Sequence, residues 1–320
     1  MKQRGDGHWS GHRDITHAAV ARLYQELDGP GGRLHGLRQQ EYAEALDKAQ
    51  AYMDRAVGAG VIKNFAGTGR SVPYAGLGPT GHSAYANPNA QREHFMADPY
   101  RRGVDNLALN TEYVFEELAA AHGSADEIKH LGAAAHALQD SYSGAHAWRE
   151  ESVYDGDPTA AVQSLHVFTP AHAVGIDDGR NTHFDQFDEP PATSGSTRAA
   201  VEATYRMLLA HELNREKSPQ EAARALRADL EPMLRPSATG VTVNLNPGRE
   251  WTAERNRRLA LEHGVLRPGP SGGELSRLSG VLAANPAPSR RGAAPPAEAA
   301  GKPAASVSRG ITREGVGRGG

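Results

Sequence analysis

The 320-residue chain contains no cysteine. Disulfides and thiolate metal sites are therefore excluded, and any metal must be held by nitrogen and oxygen ligands. Aromatic residues make up only 6% of the chain, too few to tell a base-stacking surface from an apolar approach for acyl chains. The formal charge is −3, so no global field singles out nucleic acid or a membrane surface as partner. No apolar run approaches the roughly 18–20 residues of a membrane span. The opening "MKQRGDGHWSGH" has no apolar segment after its charges and does not read as a secretory signal. The expectation is cytosolic synthesis, with export by a dedicated secretion machine as one reading and a processed start as another.

Histidine is what the chain has in quantity. There are fifteen, of which thirteen lie between His8 and His183, in no single run. Scattered imidazoles of this kind suggest a metal site assembled from several elements. The length suffices for a sizeable core.

The periodicity is helical, and the expected fold class is all-α. "ITHAAVARLYQEL" places Ile15, Ala19, Leu23 and Leu27 on one face before Gly29-Pro30. A second helix carries Tyr42, Leu46 and Met53 and ends near Gly58. Residues 60–92 are rich in Gly, Pro, Asn and Ser and read as a long loop. A helix is expected over 103–121. Another opens with a Ser-x-x-Glu capping box at Ser124 and Glu127 and runs to about Ser143. Residues 150–194 read as mixed loop. Two more helices follow, the second with a capping box from Ser218 to Glu221 and Pro219 at its first position. "GVTVNL" at 240–245 is the one short strand candidate. The expected organisation is a single helical domain over 1–265 and a disordered tail over 266–320. From Arg267 on, aromatics vanish and eight Lys/Arg stand against three Glu, a composition that cannot offset its ordering entropy.

The stretch "HALQDSYSGAH" concentrates the chemistry. His136 and Asp140 lie four apart and share a helix face, so both can reach one ion. His146 lies six further on, past Ser143-Gly144, where a bend could return it to a neighbouring ion. The plain alternative is a polar helix end. Three other segments add donors: "GHWSGHRDITH" with Trp9 and His12, "REHFMADP" with His94, and "NTHFDQFDEPP" with His183, Asp185 and Asp188.

In this order the segments resemble the all-helical zinc-dependent phospholipase C family, whose fold is shared by the zinc nucleases that cut single strands. The likeness covers roughly residues 8–213 and is most specific at His136, Asp140 and His146. It implies two or three zinc ions in a helical cleft. One would take His94, His136, Asp140 and an upstream Asp. A second would take His146, His183 and an acidic residue, Asp185 or Asp188. A third would use His12, Asp140 as a bridge, and Trp9 through its amine and carbonyl. Trp9 is preceded by eight residues, so that amine exists only if they are removed. The upstream position has Asp54 as first choice, with His82 and Asp47 as alternatives. Four residues after His183, where the family is acidic, stands Phe187.

What the likeness implies is a zinc-dependent phosphoric diester hydrolase, with Asp54 orienting or deprotonating the attacking water. The substrate would be a phospholipid head group at a membrane surface or, alternatively, single-stranded nucleic acid. A non-catalytic helical module with a structural metal, or an exported toxin-like effector, remains a competing reading. No stable protein partner and no cofactor beyond zinc are expected. Outside the constellation, His17 reads as packed or solvent-facing and His8 as a competitor of His12. His166 and His172 read as surface loop positions or substrate contacts. Tyr142 and Trp148 read as core, and Asp177-Asp178 as a turn.

Overall fold

A computed structural model describes residues 11–27, 32–53, 61–62, 72–73, 88–167, 192–244 and 249–266. The expected tail lies outside these residues. The protein is mainly helical, with helices α1 (His12–Leu27), α2 (Gln39–Met53), α3 (Pro88–Glu93), α4 (Gly103–Ala121), α5 (Glu127–Asp140), α6 (Gly195–Leu213), α7 (Pro219–Leu230) and α8 (Arg249–Glu262). None of the described helices is long and apolar enough to cross a membrane.

The bundle is organised around α5. Its sequence, EIKHLGAAAHALQD, keeps every residue from Leu131 to Asp140 buried. A helix buried on all sides belongs at the centre of a core, and here it carries the polar His136, Gln139 and Asp140 inward with it. α4, α2 and α6 pack against it, and α1 packs against α2 and α6. Small residues set how close these helices come. A Cβ on Gly132 would sit 2.3 Å from the Ala49 Cβ, so any side chain there would push α2 away from α5. His136 stands one turn further along the same helix.

Ile15, Ala19 and Leu23 are buried as the periodicity requires, and Leu27 packs on the core edge. The α7 capping box is formed: Ser218 and Glu221 satisfy each other's backbone amides. The α5 box is not. Asp126 is the N-cap without a side-chain bond, and Ser124 Oγ instead accepts from the Asp126 amide at 3.1 Å. Glu127 turns away to imidazole and guanidinium partners, which offer stronger, charge-assisted bonds than an amide.

The mainly helical fold expected from the sequence is present, with two small sheets added to it. β1 (Val61–Ile62) pairs antiparallel with β2 (Val72–Pro73) inside the expected long loop, which also holds α3. β3 (Ala147–Arg149), β4 (Val162–His166) and β5 (Thr242–Asn244) form a three-stranded sheet in that order. β3 pairs antiparallel with β4, with Trp148 opposite Ser164. β5 joins β4 in parallel, with Leu165 opposite Val243. β3 starts one residue after His146, and β4 ends on His166. The sheet thus anchors the chain just past the C-terminal end of α5.

Buried Arg149 ties that end together. Its guanidinium donates to the Ser141 carbonyl at 2.8 Å, the Ala160 carbonyl at 2.7 Å, the Met233 carbonyl at 2.8 Å and Ser141 Oγ at 2.6 Å. It lies 4.0 Å from the Tyr142 ring centre. Tyr142 itself is core and donates to the Pro158 carbonyl at 2.6 Å. Burial holds the Arg149 guanidinium below its ordinary basicity, yet four acceptors keep it satisfied.

Candidate metal centre

Asp140 is the hub. The last residue of α5, it is 1% exposed and receives imidazole nitrogens from four histidines. His12 Nε2 lies 3.1 Å from its Oδ1. His136 Nε2, His94 Nδ1 and His146 Nδ1 lie 3.2, 3.3 and 3.6 Å from its Oδ2. His136 and Asp140 meet because they are four apart on α5. His12 arrives as the first residue of α1, which Gly11 enters with a positive φ of 67°. Its ring stacks on His136 with centroids 4.3 Å apart.

His94 follows α3 in a tight turn in which Met96 N donates to the Gln91 carbonyl at 2.8 Å. The next residue, Phe95, holds a left-handed φ of 52°, costly for an aromatic residue. Full burial of the Phe95 ring offsets that cost and fixes His94 over the cluster. His146 is brought back by the turns after α5: Ser143 N donates to the Asp140 carbonyl at 2.9 Å, and His146 N to the Ser143 carbonyl at 3.0 Å. The bend expected at Ser143-Gly144 is there.

The hydrogen-bond network fixes which nitrogen of His12 carries the proton. Thr204 Oγ1 donates to the Ala200 carbonyl at 2.8 Å, so it accepts from Gln139 Nε2 at 3.2 Å. That orients the Gln139 amide and leaves its Oε1 to accept from His12 Nδ1 at 2.8 Å. In a neutral ring Nε2 then bears a lone pair. It faces the Asp140 Oδ1 lone pairs, and neither atom has a hydrogen-bond partner. Two acceptors 3.1 Å apart in a buried site repel unless a cation lies on them, either a metal ion or a second proton on His12.

Two further histidines show the same anchoring. His146 Nδ1 donates to the His94 carbonyl at 2.7 Å, and His166 Nδ1 to the Ala145 carbonyl at 3.0 Å. Each leaves Nε2 as the lone-pair nitrogen of the neutral ring. A backbone or amide oxygen on the far nitrogen is the usual companion of a metal-ligating histidine. Protonated imidazoles would hold the same carboxylate. Burial would raise the Asp140 carboxyl, but the charges of His146, His136 and His12 outweigh it and hold the group well below the usual carboxylate range.

The site residues expected from the sequence divide in two. His12, His94, His136, Asp140 and His146 come together around one carboxylate. Trp9, Asp54, His183, Asp185 and Asp188 lie outside the described residues, as do His82, His8, His172 and Asp177-Asp178. Asp47 sits half-buried on α2. From that helix it is Gln50, not Asp47, that reaches the Thr16 hydroxyl beside Gln139, at 2.9 Å. His17 is half-buried on α1.

His166 is a correction. A surface loop position was expected, but it is the fully buried end of β4, edge-on to Trp148 with centroids 5.1 Å apart. Its amide donates to the His146 carbonyl at 2.8 Å, placing it beside the cluster's backbone. The signal was the apolar stretch "AAVQSLHV", short enough for a buried strand. Trp148 is buried, as its core reading requires.

His12, His136 and Asp140 offer ligand atoms all within 4.8 Å of one another and could hold a metal ion. A second group with the same property, His35, Glu127 and Glu212, was not anticipated. Its members are far apart in sequence and carry no local spacing signal. Scans against protein-family models, curated proteins and solved structures each returned no match.

Proposed function

We propose that the protein is a zinc-dependent phosphodiester hydrolase of phospholipase C type, acting on a phosphoester head group. The observation that carries this reading is the meeting of His12 Nε2 with Asp140 Oδ1, two buried atoms that both act as acceptors when the ring is neutral. His94, His136 and His146 add nitrogens to the same carboxylate. The donor set is all nitrogen and oxygen, as zinc hydrolase sites use. The order of these residues along the chain supports the phosphoesterase class, through the resemblance described above.

A bound zinc supplies Lewis acidity towards phosphoryl oxygens and brings a water's pKa towards neutrality. The chain's own residues do the rest. Gln139 fixes the His12 tautomer, and Asp140 stays ionised as the shared anionic ligand. The His94 and Ala145 carbonyls aim His146 and His166. Asp140 is too buried and too strongly held as an anion to serve as general base. That role falls to a carboxylate outside the described residues, with Asp54 first in line. His94, whose side chain is 19% exposed, is the ligand through which substrate would approach.

Burial favours one second reading. His12, His136, Asp140 and His146 are all nearly closed to solvent, as in a purely structural metal site.

One assay separates them. The full chain, loaded with zinc, is given phosphatidylcholine, phosphatidylethanolamine, single-stranded DNA and RNA. His136→Ala and Asp140→Asn are run alongside. The proposal expects zinc-dependent release of a phosphorylated head group, reduced at least about a hundredfold in both variants. Hydrolysis of nucleic acid alone would move the substrate class. Zinc binding with no hydrolysis of any substrate would leave the structural metal.

A further inference from the structure

At the opposite end of α5 lies a second cluster, about 20 Å from Asp140 at the helical rise over thirteen residues. It joins three elements. His35 comes from the turn between α1 and α2, Glu127 is the first residue of α5, and Glu212 lies in the last turn of α6. His35 and Gly36 both have positive φ, 55° and 73°. They form a two-residue reverse turn closed by Leu34 and Leu37, whose amides and carbonyls exchange hydrogen bonds at 3.1 and 2.8 Å. The imidazole is presented from a closed, rigid tip and lies flat on the Tyr42 ring, centroids 5.3 Å apart and 4° from parallel.

Both ring nitrogens of His35 face carboxylates. Nδ1 is 3.2 Å from Glu127 Oε2, and Nε2 is 2.5 Å from Glu212 Oε1. Ionised carboxylates only accept, and a neutral imidazole has one donor. One of the two contacts therefore sets a lone pair against a lone pair. Glu127 is itself oriented from behind: His211 Nε2 is 2.7 Å from its Oε1, and Arg215 donates to its Oε2 at 2.9 Å. Such outer partners commonly fix a ligating carboxylate.

An independent observation points to an occupant. The Tyr42 hydroxyl is fully buried and has no hydrogen-bond partner. After burial, the charges of Glu212 and Glu127 weigh most on it and push its phenol well above the ordinary range. A buried hydroxyl in the field of two carboxylates, with no hydrogen bond of its own, is costly. A coordinated cation, with the waters it carries, relieves all three groups. The way in is a surface cavity of about 590 Å³ lined by His35, Glu127, Lys129 and Arg215. Arg215, 37% exposed at its side chain, can swing to solvent as an ion enters.

We propose that His35, Glu127 and Glu212 form a second divalent-cation site, separate from the Asp140 centre, which pins the α1–α2 turn to α5 and α6. Its one imidazole and two carboxylates suit zinc or manganese, with water completing the coordination. Two carboxylates balance the ion's charge once Arg215 withdraws.

Metal content of the full chain, loaded with zinc and dialysed, tests it. Asp140→Asn is expected to keep one zinc per chain and to gain thermal stability from zinc. Asp140→Asn combined with His35→Gln should keep none. In the otherwise unaltered protein, His35→Gln should lower the zinc count by one. Because that change could disturb the turn, cobalt added to Asp140→Asn alone provides a second readout. Visible absorption bands that zinc displaces are expected. No zinc and no cobalt in Asp140→Asn, or a zinc count indifferent to His35→Gln, would overturn the proposal and leave an ion-pair clasp in which His35 carries a second proton.

Discussion

Asp140 is a carboxylate that should not be stable where it stands. It is buried at a helix end, where the dipole disfavours an anion, and only cationic or metal-bearing imidazoles make it tolerable. Gln139, the residue before it, does the quiet part by fixing the His12 tautomer. Gln139→Leu should weaken zinc binding about 10–100-fold, as loss of an outer partner does elsewhere. Titration against a competing chelator would measure it, and unchanged affinity would remove Gln139 from the account.

Glu262 offers a separate test of buried charge. Burial raises its carboxyl above the ordinary value, partly opposed by hydrogen bonds from Ser194 and Ser196 and by the Arg198 charge. A raised folded value means that the native state favours the protonated form. The penalty is absent below the unfolded value and grows as pH rises through the folded one. Glu262→Gln should therefore match the native protein near pH 4 and exceed it in stability at pH 8. Urea unfolding at the two pH values decides it, and a gap that shrinks with rising pH would contradict it.

At the scale of elements, the helices were legible because their apolar residues repeat at helical spacing. α4 falls on the residues expected, and α7 has the expected capping box. The α5 box was misread for a physical reason. Ser-x-x-Glu describes local options, and Glu127 had non-local partners in His35, His211 and Arg215 that no spacing reveals. β3 and β4 were missed because strands of three and five residues leave too few positions for alternation to register. His-x-x-x-Asp was legible because both side chains sit on one helix. His166 was not, since its role depends on a strand that brings it beside His146.

Arg149 is the element-scale joint, holding the end of α5 to the Ala160 and Met233 carbonyls without any carboxylate. Arg149→Met would strand those buried acceptors and cost about 3 kcal/mol. Denaturant unfolding should show that loss together with weaker metal binding, because His146 hangs from the same turn. A variant of native stability would mean that the joint is dispensable.

For the whole molecule, a single central helix carries a histidine–carboxylate cluster at each end. The chain lacks cysteine throughout, so any metal would be held by nitrogen and oxygen donors. The tight helix packing around Gly132 and the small residues Ala133, Ala134, Ala135 and Ala137 explains how α5 can hold such groups away from water. The imidazoles around Asp140 are proposed to hold a cation. Crystals of the zinc-loaded full chain, measured at the zinc absorption edge, test it most directly. The prediction is an anomalous peak within about 2.0–2.2 Å of His12 Nε2, His136 Nε2 and an Asp140 oxygen. A map with no peak there, and with those side chains hydrogen-bonded directly to one another, would contradict it.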